Sequence, residues 1–414
     1  MRWARPTRSI AGVTAGVCAA FVLASCTADS TSAGSAPGGS DAQAPGGGGS
    51  EAEQAAPPPP FEASVLAGAD RGVPVDTRVR VAADNGTIDR VQVYRGSRAP
   101  ARMVDGTLAR DGSGWRATEL LEPGATYTVL STGTAQGAGR GTVRDTFTTQ
   151  ALTLDEQTYP SISPLQGETV GVGMPVIITF DIPVTNRAAI EQHLAVQSEP
   201  QVTGSWHWLS DTEVHYRPKT YWPAGTEVNV DVGINSIDAG NGIYGQMDRE
   251  VSFQVGDSVI SRVNVATHQM DVEVNGQTRR TIPISAGKPG FETRSGTKLI
   301  VEMFESKRMD AATVGIQPGD PEYYNIPEVE YAMRVTYTGE FLHAAPWSVG
   351  SQGSENVSHG CVGMSTANAA WLYGISHRGD VVDVTGSGRA LEYGNGWTDW
   401  DMSWQEYQEG SALS

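Results

Sequence analysis

The sequence predicts a mainly β protein: two β-sandwich domains, a third β-rich domain with a short helix, and an aromatic C-terminal extension. Three observations carry this. Short alternating strands recur from residue 62 onward, separated by Gly, Asp and Asn clusters. Helical patterning is confined to brief stretches. The 414 residues also divide by composition into a leader, a linker and a body long enough for two or three domains.

Residues 1–26 read as an export signal. Arg2, Arg5 and Arg8 form a positive start, and Ile10 to Leu23 is a short apolar run. Leu23-Ala24-Ser25-Cys26 then has the small-residue pattern of a cleavage site ending in cysteine. The run is shorter than the ~20 residues of a comfortable membrane span. The segment resembles a bacterial lipoprotein signal, with Cys26 becoming the lipidated first residue of the mature chain. An ordinary secretory signal is the competing reading, and both place the mature chain outside the cytoplasm. With the lipid, the expected location is the outer leaflet of the plasma membrane, facing the cell wall. Residues 27–60 are dominated by Gly, Ser, Ala and Pro, ending in Pro57-Pro58-Pro59-Pro60, and read as a disordered linker with a stiff end. A net charge of −18 argues against nucleic acid and against electrostatic adsorption to anionic lipid.

The first sandwich, residues 61–150, is expected from Arg78-Val79-Arg80-Val81, Val91-Gln92-Val93-Tyr94 and Thr126 to Leu130. The second, residues 151–256, rests on Val176 to Phe180, Glu213 to Tyr216 and Glu227 to Val232. A short helix is expected from Arg187 to Leu194 with Asn186 as its cap. Trp206, Trp208, Tyr221 and Trp222 are expected in the core or against the next domain. Asp238-Ala239-Gly240-Asn241-Gly242 reads as a turn, and no metal is assigned to it. The third domain, residues 257–385, opens with Val263 to Val265, Met270 to Val274 and Thr281 to Ser285, the last two joined by an Asn275-Gly276 hairpin turn. A helix is expected from Thr366 to Ser376, then a closing strand from Asp380 to Val384. Residues 386–414 carry Trp397, Trp400, Trp404 and Tyr407, too many aromatics for a solvated tail, so the extension should fold back onto a domain surface.

The chemistry centres on Cys361. The chain has three cysteines: Cys18 lies in the leader and Cys26 is claimed by the lipid signal. A lone remaining thiol in an exported chain invites oxidation and wrong pairing, so its retention beside histidines suggests a nucleophile. A cysteine acyl-transfer site needs a thiolate, a base and donors for an oxyanion. His343 and His359 are the candidate bases, and spacing alone does not rank them. His343 would arrive on an adjacent strand carried by the alternating Thr336 to Phe341. Gly360 lets the chain bend so that the amides of Gly360, Cys361 and Val362 converge. A buried inert cysteine and a zinc site are the alternatives, but no separate ligand pair supports zinc.

His343, fourteen intervening residues and then Ser358-His359-Gly360-Cys361 resemble the active-site signature of the L,D-transpeptidases, the YkuD-type catalytic domain. Ala345 to Gly350 and Arg378-Gly379-Asp380-Val381-Val382 are similar too. So is the architecture of lipoprotein signal, linker, two immunoglobulin-like domains, catalytic domain and aromatic extension. The resemblance implies an acyltransferase, without cofactor, that takes a peptidoglycan tetrapeptide stem as donor and releases the terminal D-Ala. It then passes the acyl group to a second stem as a 3→3 crosslink in cell-wall biogenesis. It implies Cys361 as nucleophile, His343 as base, and His359 with the amides of Gly360 and Cys361 around the oxyanion. It also implies a substrate lid after Met303, to about Pro327, with Tyr324 and Met309 lining the pocket, Thr338 and Gly339 holding substrate backbone, and Ser358 of the signature turn and Gly363 also at the substrate. β-Lactams of the carbapenem class are the implied covalent inhibitors. Related L,D-carboxypeptidase or protein-attachment activity is the implied alternative, as is a weak wall-binding lipoprotein. One departure stands out: Gly363 occupies the place where most members carry Asn, as in one divergent mycobacterial lipoprotein subclass, and slower carbapenem acylation is the expectation.

Overall fold

A computed structural model describes residues 56–96 and 102–414. The leader, Cys26 and the linker up to residue 55 lie outside the described residues. The first body of strands pairs Glu62–Leu66, Arg80–Asn85, Gly114–Ala117 and Gly106–Leu108 in one sheet. A second sheet orders Met103–Val104, Thr87–Arg95, Thr126–Thr134 and Arg140–Thr148. Phe61, Val93, Trp115, Tyr127 and Phe147 fill the space between them, as alternation of inward apolar residues requires.

The next body repeats the plan. Pro160–Ser163, Val176–Phe180, Glu213–Pro218 and Gly204–Ser210 form one sheet. Thr169–Val170, Arg249–Val255, Glu227–Val232 and Leu194–Glu199 form the other. Trp206, Trp208 and Trp222 are buried here, and this cluster continues into Leu299, Val301, Val381 and Trp397. The short helix spans only Arg187–Glu191, and the Asn186 side chain does not cap it. That amide is turned instead toward Asp238 Oδ2 at 3.4 Å. Asp238 Oδ1 in turn accepts the Gly240 amide at 2.8 Å, closing the expected turn.

The third body holds two sheets. The first orders Gln277–Pro283, Gln269–Val274, Val259–Asn264, Val381–Thr385 and Gly296–Leu299. Asn275 and Gly276, both at positive φ (49° and 75°), make the tight hairpin turn that right-twisted strands favour. The second sheet orders Glu302–Asp310, Asn325–Arg334, Phe341–Ala344 and Val362–Met364. The helix Thr366–Ile375 is capped by Ser365, whose hydroxyl accepts the Asn368 amide. One expectation fails here: Thr336 to Glu340 is a turn, not part of a strand, with the Gly339 amide donating to the Thr336 carbonyl and Gly339 at φ +100°. Alternation is misleading there because Glu340 points into a buried charge cluster rather than lying on a strand face.

The C-terminal extension folds back, as its aromatics require. Tyr221 packs on Trp400 with ring centroids 4.4 Å apart, Trp400 Nε1 donates to the Gly173 carbonyl (2.7 Å), and the Trp208 amide donates to the Gly410 carbonyl. At the centre of this contact His215 is fully buried. Its Nδ1 donates to Asp399 Oδ1 (2.8 Å), its Nε2 to Glu213 Oε1 (2.9 Å), and the Tyr407 hydroxyl also donates to Asp399 Oδ1. Burial alone would lower the imidazole, but the charge and hydrogen bond of Asp399, then those of Glu213, raise it to about 9. Burial would raise the Asp399 carboxyl, and the His215 charge outweighs it, leaving it below the usual 3.8.

The signs define a pH window. A raised His215 contributes stability that is complete below its unfolded value of about 6.5 and is lost as pH climbs through about 9. The lowered Asp399 contributes stability above about 3.8 that is lost on acidification. The wild-type melting temperature is therefore expected to fall between pH 7 and 10, and His215→Gln to flatten that fall. Equal slopes for the two proteins would exclude His215 as the titrating group.

Candidate active site

The strands Phe341–Ala344 and Val362–Met364 pair in parallel with His343 opposite Gly363. Side chains two residues apart share a face of a sheet, so this register brings His343 beside Gly363 and the Cys361 turn that precedes it. His343, Cys361, Gly363, Ser358, His359, Met309 and Tyr324 line one cavity of about 280 Å³, with Trp347 and Ile326 among its walls. Thr338 is not in that lining. Gly339 is drawn in through its carbonyl, which accepts the Cys361 thiol at 3.6 Å.

The turn is locked from beneath. Gly360 has φ +119°, a conformation that L side chains rarely adopt. Buried Thr293 donates its hydroxyl to the Gly360 carbonyl (2.8 Å) and accepts the Gly287 amide. Ser358 Oγ donates to the Cys361 carbonyl (2.6 Å) and accepts the Gly360 amide (3.1 Å). The Gly360 amide is thus engaged by Ser358, whereas the described residues offer the Cys361 amide no acceptor. Of the three amides expected to converge, Gly360 is spoken for in this state.

The electrostatics favour neutral partners. Cys361 is 8% exposed and packs with Met309, Val329, Ala332 and Phe341. Burial pushes its thiol up to about 12. The Phe341 amide works against that rise, the Glu340 charge adds to it, and Lys298 and Arg334 oppose it. Burial also pushes the His343 imidazole below its usual value, against the hydrogen bond to Ala344. Among the described residues no hydrogen bond joins Cys361 to His343. His343 Nδ1 donates to the Ala344 carbonyl at 2.7 Å, which leaves Nε2 with the lone pair needed to accept a proton. The ring stacks on Trp347 with centroids 5.8 Å apart.

His359 is differently employed. Its Nε2 donates to Glu322 Oε2 (2.8 Å), a carboxylate that also pairs with Lys288. Phe291 and Tyr324 pack on its ring at 4.7 and 5.0 Å. Glu322 lies in the segment between Glu302–Asp310 and Asn325–Arg334, two strands paired antiparallel, so it ties that crossing segment to the nucleophile turn. Sequence reasoning found Tyr324 and Met309 here and missed Glu322 and Thr293. A carboxylate 37 positions before a histidine leaves no local signal, and neither does a lone threonine.

A family model described as the L,D-transpeptidase catalytic domain (YkuD) matches residues 258–384, and one described as a bacterial Ig domain matches residues 70–238. L,D-transpeptidase 2 of Mycobacterium tuberculosis is 36% identical over 355 residues, covering 86% of this chain and 85% of that protein. L,D-transpeptidase 5 of the same species is 33% identical over 368 residues, covering 86% and 78%. A solved structure of L,D-transpeptidase 3 from Mycobacterium tuberculosis with a faropenem-derived adduct is 32% identical, with a TM-score of 0.45 over 54% of this chain and 97% of that one.

Proposed function

The chain belongs to the L,D-transpeptidase family, cysteine-nucleophile acyltransferases that crosslink peptidoglycan, and from that premise we propose how its own residues divide the work. Cys361 Sγ attacks the carbonyl of the third residue of a tetrapeptide donor stem. His343 Nε2 takes the thiol proton as the C–S bond forms, and the Cys361 amide receives the oxyanion. The C–N bond to the terminal D-Ala then breaks, with His343 returning the proton to the departing amine. An amine of a neighbouring stem attacks the thioester, His343 removes its proton, and the thiol is regenerated with a 3→3 crosslink formed. The parallel register that sets His343 beside the Cys361 turn, in an apolar cavity of about 280 Å³, is the observation that supports this reading best. Thr338 and Gly339 are the proposed holders of donor backbone, and Tyr324 and Met309 line the donor's pocket. His359, tied to Glu322, shapes the turn.

Incubation with tetrapeptide disaccharides, with products separated by mass, tests the acceptor. Dimers are expected. Tripeptide monomers alone would make water the acceptor and the enzyme a carboxypeptidase. The same apolar thiol pocket supports covalent capture of carbapenems. The lipid-signal pattern ending at Cys26 supports tethering to the outer leaflet of the plasma membrane, with the Gly/Pro-rich linker giving reach to the wall. Mass analysis of the membrane-extracted chain tests that tether, and a mature N-terminus without lipid would refute it.

Gly363 bears on carbapenems directly. A Cβ at that position would meet Ala345 Cβ at 2.8 Å, tighter than packed carbons tolerate, so an Asn there displaces its neighbour. Gly363→Asn alone is therefore expected to cost about 1–3 kcal/mol of stability. Gly363→Asn combined with Ala345→Gly isolates the effect of the amide. That double variant is expected to be acylated by a carbapenem faster than wild type, read by intact mass against time. Equal rates would remove Gly363 as a determinant of carbapenem acylation.

A further inference from the structure

Thr338 and Gly339 belong to a turn whose own hydrogen bonds leave the Thr338 amide without a partner inside it: Val335 and Thr336 donate to the Glu340 carbonyl, Gly339 to Thr336, and the Glu340 amide to Thr336 Oγ1. The missing acceptor comes from the C-terminal extension. Asn395, 8% exposed, accepts the Thr338 amide on Oδ1 at 3.0 Å and donates through Nδ2 to Thr338 Oγ1 at 2.9 Å. The same Nδ2 donates to Glu392 Oε2 (3.0 Å), and Glu392 pairs with Arg294, whose Nη1 donates to Glu340 Oε1 (2.9 Å). A closed chain of polar contacts therefore grips the turn from both ends. The next residue, Gly396 (φ +105°), crosses so near that a Cβ would lie 2.9 Å from the Val335 carbonyl. On the inner side, the Gly339 carbonyl takes the Cys361 thiol.

We propose that Asn395 is a positioning residue for acylation, holding the Thr338–Gly339 turn at the distance from Cys361 that the donor stem requires. The C-terminal extension is on this view a part of the active site and not only an anchor to the neighbouring sandwich. The amide side chain suits this role because it is an acceptor and a donor at fixed separation, matching one backbone N–H and one hydroxyl of the same residue. Buried polar groups gripped at both ends fix geometry closely, and displacement of a reacting geometry by about 1 Å can cost 10²-fold in rate. The inference rests on the proposed role of Thr338 and Gly339 in holding the donor.

The test uses the chain with its extension intact. Wild type, Asn395→Ala, Thr338→Val and the double variant are mixed with a tetrapeptide disaccharide donor. Thioester formation is followed by intact mass, with the fraction of acylable protein and the melting temperature recorded for each. Asn395→Ala is expected to slow acylation by about 10- to 100-fold while the acylable fraction stays complete. The double variant should be no slower than the slower single variant, since the Nδ2–Oγ1 contact that Thr338→Val removes is one of the two that Asn395→Ala removes. A role confined to folding would instead lower the acylable fraction and leave the rate of the remainder unchanged. That result, or wild-type speed for Asn395→Ala, or effects that multiply with those of Thr338→Val, overturns the inference. Should Asn395→Ala not fold, Asn395→Gln, whose amide is displaced by one methylene, carries the same test. A wild-type protein that forms no thioester would overturn the underlying reading instead.

Discussion

Replacing His343 with alanine is expected to slow thioester formation by about 10²- to 10⁴-fold, the usual contribution of a positioned general base, with little change in the acylable fraction over long incubation. The pH dependence follows from the two burial effects. The imidazole is held below its usual value and the thiol is pushed up to about 12, so both partners are neutral near pH 7. The wild-type rate should rise with pH only as His343 loses its proton, in a limb below about 6.5, and then level off through neutrality. In His343→Ala that limb disappears. Alkylation of Cys361 by iodoacetamide, which requires thiolate, should keep climbing beyond the ordinary cysteine range of about 8.5. A plateau below that range would mean a preformed thiolate–imidazolium pair, contrary to the neutral pair that burial favours.

Glu340→Ala is expected to destabilise the protein by about 3–5 kcal/mol, the cost of leaving buried charge without its partner. The Glu340 carboxylate accepts Lys298 Nζ at 2.5 Å, Arg294 Nη1 at 2.9 Å and the Arg294 amide at 3.1 Å. Lys298 is only 1% exposed. Burial lowers its ammonium, and the Glu340 charge is what opposes that. Denaturant unfolding of the variant measures the loss, and a change under about 1 kcal/mol would show that the cluster is not needed to hold Lys298. Glu340→Leu with Lys298→Met, which removes the carboxylate and the buried ammonium and leaves Arg294 its pair with Glu392, should recover part of the stability. The cluster also reaches the chemistry, because the Glu340 charge raises the Cys361 thiol. A folded Glu340→Gln protein should therefore alkylate at lower pH than wild type.

The nucleophile and its turn are legible in the sequence because their chemistry is local: Ser358, His359, Gly360 and Cys361 are consecutive, and Gly360 adopts the positive φ that its residue type allows. His343 is legible as a partner, but spacing leaves it level with His359. What separates the two histidines is tertiary. A parallel register seats His343 in the cavity with Nδ1 committed to the Ala344 carbonyl, while Glu322 draws His359 toward the crossing segment. Most strands are legible from alternation, and that same cue misassigns Thr336 to Glu340, where alternate positions face a charge cluster and Asn395. The aromatic extension announces that it will dock, yet nothing local connects Asn395 to Thr338, 57 positions earlier. Residues that act by completing another segment's hydrogen bonds carry no pattern of their own.

In the proposed mechanism Cys361 forms a thioester with a peptidoglycan stem, using His343 as its base. Intact mass of the protein after mixing with a tetrapeptide donor tests this most directly, alongside Cys361→Ala. The expected result is a covalent adduct of the donor less its terminal D-Ala, located on the peptide containing Cys361 and absent from Cys361→Ala. An adduct of equal yield on Cys361→Ala, or crosslinked product without any adduct-forming thiol, would contradict it.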